Sequence, residues 1–94
     1  MSKSIMQEDK ACLICGTVRY LHKHHIFYGT GNRAVSETDG CWCYLCARHH
    51  NMSSAGVHFN RVLDLKLKRR CQEKWEAKHG NREEFIRRYG KSYL

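Results

Sequence analysis

No run of apolar residues in this chain approaches the length that crosses a bilayer, so no membrane span is predicted. Met1 to Lys10 is polar and lacks the apolar core of a secretory signal, which points to a reducing, cytoplasmic compartment. Repeats, low-complexity tracts and interdomain linkers are missing too. Residues 1–94 are therefore read as one domain, with residues 1–10 as a flexible N-terminal arm. Acidic side chains are scarce, with 9 Asp+Glu against 17 Lys+Arg and a net charge of +8. A mean hydropathy of −0.69 argues against a membrane surface, which leaves a polyanion as the partner for so basic a chain. The excess is uneven: residues 61–94 carry 11 basic and 5 acidic side chains, residues 1–60 only 6 and 4.

What the chain does have is cysteine and histidine. A domain of this size has a thin core and often needs a staple, and 6 cysteines are available for one. In a reducing compartment, spaced cysteines favour zinc over disulfides. Cys12-x2-Cys15 is the first ligand pair, with Gly16 free to take positive φ behind it. For the second pair two choices share the spacing, Cys43 with Cys46 and Cys46 with His49. The histidines cluster as His24-His25 and His49-His50, each pair downstream of a cysteine, so adjacent members can serve different sites. His24, His50 and His58 can form a three-imidazole metal site with open positions for water and phosphate. His25 is left over beside His24, and a neutral imidazole near pH 7 suits a general base. Alternation along a strand turns His25 away from His24, although a twist near the strand end can bring both to one cleft. His22 and His79 have no obvious partner and are read as surface residues.

Residues 17–27 and 41–46 are read as strands, residues 28–40 as a long loop and residues 47–56 as a turn. From about His58 to His79, Phe59, Leu63, Leu67, Cys71 and Trp75 recur every fourth residue, with Val62 alongside, as on one face of a helix. Arg61, Lys66, Lys68, Arg69, Arg70, Lys74 and Lys78 fill the rest of that helix. Gly80 is its C′ stop. Asn81-x-x-Glu84 is a capping box that opens a second helix, ended by Gly90.

The order C-x2-C, then His-His at a strand end, then C-x2-H-H leading into a helix resembles the HNH endonuclease family. HKHHIFYGTGNR, YLCARHH and GVHFN further resemble small HNH nucleases carried by bacteriophages and prophages. The resemblance covers about Cys12 to Leu94. It implies an α+β fold, a ββα-metal core with a zinc knuckle and C-terminal helices. It assigns His24, His50 and His58 to a catalytic divalent metal (Zn, Ni, Mn, Co or Mg) and His25 to the general base. It also selects Cys12, Cys15, Cys46 and His49 for structural zinc. One departure stands out: many family members carry an asparagine before the second cysteine pair, where this chain reads Cys41-Trp42-Cys43-Tyr44. Asn32 and Asn60 are the nearest substitutes.

The implied activity is metal-dependent hydrolysis of DNA in a bacterial host cell, leaving 5′-phosphate and 3′-hydroxyl ends. Arg61, Lys66, Arg69, Arg70 and Lys74 are expected to grip phosphates. A non-catalytic zinc-containing DNA-binding module fits the composition equally, but has no need of His25 beside His24. An accessory role beside phage packaging or recombination proteins is compatible with cleavage.

Overall fold

The computed structural model describes residues 3–29, 31–52 and 56–94, without the side chains of Asn51, Met52 and Phe59. Thr30, residues 53–55 of the expected turn and the Phe59 side chain of the expected apolar stripe thus lie outside the described residues.

The architecture is α+β. Strands β1 (Leu21–His25) and β2 (Trp42–Cys46) form a two-stranded antiparallel sheet in the register Leu21↔Cys46, His24↔Cys43, His25↔Trp42. Residues opposite one another share a face. His22, His24, Cys43 and Leu45 therefore lie on one side; Leu21, Lys23, His25, Trp42, Tyr44 and Cys46 lie on the other. Between the strands runs helix α1 (Asn32–Asp39), where a loop was expected. Its sequence is polar and only eight residues long, too short to be stable alone. Tertiary contacts supply what propensity does not: the Ser36 hydroxyl, fully buried, donates to the Phe27 carbonyl at 2.6 Å and accepts from the Phe27 N–H at 3.2 Å. Gly40 ends α1 at φ +78, where an added Cβ would lie 2.1 Å from the Lys3 carbonyl oxygen. That close approach shows where the N-terminal segment goes. Residues 3–7, expected to hang loose, lie along β2: Ile5 N–H donates to the Gly40 carbonyl at 2.9 Å, Tyr44 N–H to the Gln7 side chain at 2.6 Å, and Met6 is buried.

After β2 the chain makes a wide π-type turn, Arg48–Met52, then a short 3-10 turn at Val57–Phe59, before helices α2 (Arg61–Lys78) and α3 (Arg82–Tyr89). Asn60 caps α2, its side chain accepting from Leu63 N–H at 3.1 Å. Of the expected stripe, Leu67, Cys71 and Trp75 are buried and Leu63 is half-buried, whereas Val62 is exposed and belongs to the solvent face. Lys68 also departs from expectation. It is buried, with its ammonium 2.8 Å from Asp64 and 4.3 Å above the Tyr28 ring, because the ion pair and ring offset its desolvation. The capping box of α3 is formed in both directions, Glu84 N–H to Asn81 at 2.9 Å and Asn81 N–H to Glu84 at 3.2 Å. Phe27, Phe85, Trp75 and Tyr89 pack edge-on and tilted around the core, with Phe27 4.6 Å from Tyr89 and 5.1 Å from Phe85.

Asp39 is the polar hub of that core. It accepts from Trp75 Nε1 at 2.9 Å, Tyr89 OH at 2.8 Å and Arg88 at 2.6 and 2.7 Å, while His79, expected to be free, meets its carbonyl at 3.1 Å. Burial opposes ionisation of the Asp39 carboxyl, but Arg88, Trp75 and Tyr89 outweigh it and hold its pKa below the ordinary value. A depressed folded pKa contributes stability above the unfolded pKa and loses it as pH falls through the folded one. Asp39→Asn is expected to lower stability by about 3 kcal/mol at pH 7, since it strips the counter-charge from three donors. The loss should shrink as pH falls below the ordinary carboxylate value and on through the depressed folded one, where the parent carboxyl protonates. Urea midpoints across pH check this, and an equal loss at every pH would contradict it.

Two candidate metal centres

Cys12 and Cys15 sit on a knuckle turn held by Cys12 N–H to Thr17 O and Gly16 N–H to Cys12 O, both 2.8 Å, with Gly16 at φ +79. Leu13 N–H donates to the Tyr44 carbonyl at 2.9 Å and docks the knuckle against β2. Cys46 ends β2, and the following turn swings His49 back beside it. Cys15 and Cys46 sulfurs are 3.8 Å apart, His49 Nδ1 is 3.2 Å from Cys46 Sγ and 3.8 Å from Cys12 Sγ. Those four donors are close enough to hold a metal ion. A tetrahedral ion with metal–sulfur bonds of about 2.3 Å has sulfur–sulfur edges of about 3.8 Å, so the spacing suits zinc. Burial disfavours the Cys12 thiolate, yet the backbone N–H groups of Cys46, Cys15 and Ile14 pull its pKa down to about 6. Cys15 moves the other way: the Thr17 N–H favours its thiolate, but desolvation and the Cys12 and Cys46 sulfurs prevail.

Cys43, the rival choice, lies on the opposite face of β2 from Cys46, and the donors that gather are Cys12, Cys15, Cys46 and His49; burial, with Cys12 nearby, pushes the Cys43 thiol up to about 12. Cys43 packs in the core with Cys41 and Cys71, all fully buried, and Cys41 Sγ lies 3.4 Å from the Tyr89 hydroxyl oxygen. A hydrogen bond with Cys41, reinforced by burial, raises the Cys71 thiol far above its usual value. These three act as small apolar residues.

The second centre lies on the His22/His24 face of β1. His24, His50 and His58 bring one nitrogen each within 4.8 Å of one another. His58 Nε2 is 3.1 Å from His50 Nε2, and the His24 ring centroid is 5.2 Å from that of His58. His24 is only 2% exposed, and its Nε2 is buried without a hydrogen-bond partner. Leaving such a nitrogen unsatisfied costs on the order of 1–3 kcal/mol, which a metal bond removes. Burial first, then the neighbouring His50 and His58, brings the His24 pKa down to about 3. The same causes, burial and the close His58 and His22, take His50 to about 4. Both rings are neutral at pH 7, the form that binds metals. His22, expected at the surface, instead touches the other side of His50, Nδ1 to Nδ1 at 2.9 Å. That contact places His22 to orient the His50 ring. The alternation of β1 puts residues 22 and 24 on one face, and that signal was available in the sequence.

His25 lines the same cleft of about 270 Å³ as His24, His50 and His58, together with Lys23, Tyr28 and Arg33. It stands at the end of β1, where the chain bends, so opposite-facing neighbours reach one cavity. Its Nε2 is 3.1 Å from Glu37 Oε1, and Lys23 spans both Glu37 oxygens at 2.8 Å. Lys23 first, then His25, holds the Glu37 carboxyl below its ordinary pKa. Glu37, Tyr28 and Arg33 were hidden by the loop expected at residues 28–40. Neither substitute for the missing motif asparagine reaches the cleft, for Asn32 donates to the Tyr89 carbonyl at 3.2 Å and Asn60 caps α2.

The α2 cations are also elsewhere. Arg61, Lys66, Arg69 and Arg70 are exposed and Lys74 is half-buried; Lys66, Arg69 and Arg70 flank a groove shared with Leu13 and Ile14 of the knuckle. The cations of the cleft itself are Lys23 and Arg33. No helix among the described residues is long and apolar enough to cross a membrane. No protein-family model matches the chain, and no curated protein or solved structure matches it either.

Proposed function

We propose that this chain is an HNH-type, metal-dependent DNA endonuclease of bacteriophage or prophage origin, with zinc at Cys12, Cys15, Cys46 and His49 serving the fold. The observation that carries the proposal is the meeting of His24, His50 and His58 in one cleft with His25, which has no place in either donor set. The orphaned Nε2 of His24 and a donor set of three imidazoles fit a divalent transition metal, Zn, Ni, Mn or Co, better than Mg, which prefers oxygen. Such an ion supplies Lewis-acid polarisation of a phosphodiester and neutralises charge on the departing 3′ oxygen. His25 accepts a proton from water as the water oxygen bonds to phosphorus, the bond to the 3′ oxygen breaks, and that oxygen takes a proton from solvent. The products are a 5′-phosphate and a 3′-hydroxyl.

Lys23 and Arg33 flank the reacting phosphate, and the exposed cations of α2 hold more distant ones. Arg69→Ala with Arg70→Ala is expected to weaken binding to unrelated DNA sequences alike and to make the slope of log K against log salt shallower by roughly one to two. Binding isotherms over a salt series read both quantities. An unchanged slope would move the distant contacts off α2.

Plasmid cleavage by purified protein, stripped with chelator and reloaded with one metal at a time, tests the activity. Metal-restored cutting supports it. A folded, reloaded protein that binds DNA and never cuts would favour a zinc-containing binding module, and cutting only beside a phage packaging or recombination protein would make it an accessory subunit.

A further inference from the structure

Lys23 and His25 are two residues apart on β1, on the face away from His22 and His24, and both meet the single carboxylate of Glu37. Glu37 comes from α1, the helix that Ser36 and the Gly40 approach fix against β1 and the N-terminal segment. Lys23 spans both carboxylate oxygens and is itself held with its ammonium 4.1 Å from the centre of the Trp42 ring. An exposed Lys–Glu pair alone adds little stability, roughly 0–1 kcal/mol. The informative contact is the third one, from His25 Nε2 to Oε1 at 3.1 Å.

An ionised carboxylate only accepts hydrogen bonds. His25 must therefore carry its proton on Nε2 when neutral, which leaves the lone pair of Nδ1 as its proton acceptor. When Nδ1 takes a proton from water, the imidazolium that results keeps a charge-assisted bond from Nε2–H to Glu37. Without the carboxylate, the ring is free to place its proton on Nδ1 and turn a donor toward the incoming water.

From this geometry we infer that Glu37 is a positioning residue: through Nε2 it fixes the tautomer and orientation of His25, with Lys23 and Trp42 holding the carboxylate in place. This deepens the proposed nuclease mechanism and rests on the assignment of His25 as proton acceptor.

The test has two independent readouts on the full-length, zinc-loaded chain. Nitrogen-15 NMR of the histidine rings, with His25 assigned by its loss in His25→Ala, reports its tautomer. The Nε2–H form is expected in the parent, and Glu37→Gln should let the Nδ1–H form appear. Cleavage rate at saturating DNA should fall on the order of 10²-fold in Glu37→Gln, by analogy with other carboxylate–histidine pairs, and be partly restored in Glu37→Asp. Metal content should stay at the parent value, since Glu37 lies outside both donor sets, and reading the rate at saturating DNA removes any change in affinity that follows from freeing Lys23. An Nδ1–H tautomer in the parent overturns the inference even if the variants fail to fold, and so does an unchanged tautomer and rate in folded Glu37→Gln. If the parent cuts no DNA at all, the nuclease reading falls, while the tautomer measurement still decides what Glu37 does to His25.

Discussion

Replacing Cys12 with serine is expected to leave the protein unfolded or insoluble at 37 °C. Cys12 is 3% exposed, its thiolate is favoured by three backbone N–H groups, and it is 3.8 Å from His49 Nδ1. Serine keeps the shape but offers a hydroxyl that does not ionise, so a four-donor site becomes a poor three-donor one. Structural zinc contributes about 10–16 kcal/mol in small domains, whereas whole domains are stable by only about 5–15 kcal/mol, so the loss is of the size of the total. The site also ties together the knuckle at residues 12–15, the end of β2 at Cys46 and the turn carrying His49. Circular dichroism melts of parent and variant, with metal analysis of the parent, provide the check. One tightly held zinc per chain is expected, and a well-folded, reduced parent without zinc would sink the assignment.

His25→Ala is expected to abolish cutting without touching the fold. The side chain has no share in either donor set, and Glu37 keeps Lys23 as its partner when the imidazole is gone. Cleavage at saturating DNA should drop by a factor on the order of 10² or more, the usual contribution of a general base. Affinity for DNA and melting temperature should stay near parent values, because the cations and the core are untouched. Single-turnover cleavage and equilibrium binding separate the two effects. A folded variant that cuts near the parent rate would remove His25 from the chemistry.

The donor sets were legible in part: Cys12-x2-Cys15 stood out by its spacing, but Cys43-x2-Cys46 and Cys46-x2-His49 share one spacing, and only the family resemblance chose the second. Cys12-x2-Cys15 and Cys46-x2-His49 meet in space as their pattern implies, and His24, His50 and His58 do likewise. The two long elements at the C-terminus were legible through their four-residue period and the Asn81–Glu84 capping box. Helix α1 was not legible. Its eight residues carry little helical preference, and the contacts that form it, Ser36 on Phe27 and Gly40 against Lys3, are far apart in sequence. With α1 went Glu37 and the surroundings of His25. Lys68 was misplaced for a related reason: its count among basic residues says nothing of Asp64 and Tyr28, which take it out of solvent.

His49 and His50 are consecutive residues on one turn, yet one faces the thiolate centre and the other the imidazole cleft. Ions held at both clusters would therefore be expected to feel one another. An ion at Cys12, Cys15, Cys46 and His49 would fix the backbone that aims His50 and so preorganise the second donor set. Linkage is reciprocal, and any factor by which the first ion tightens the second is the factor by which the second tightens the first. Titrating one metal against the other measures a single coupling constant, and the peptide bond between His49 and His50 is the shortest covalent path that carries it.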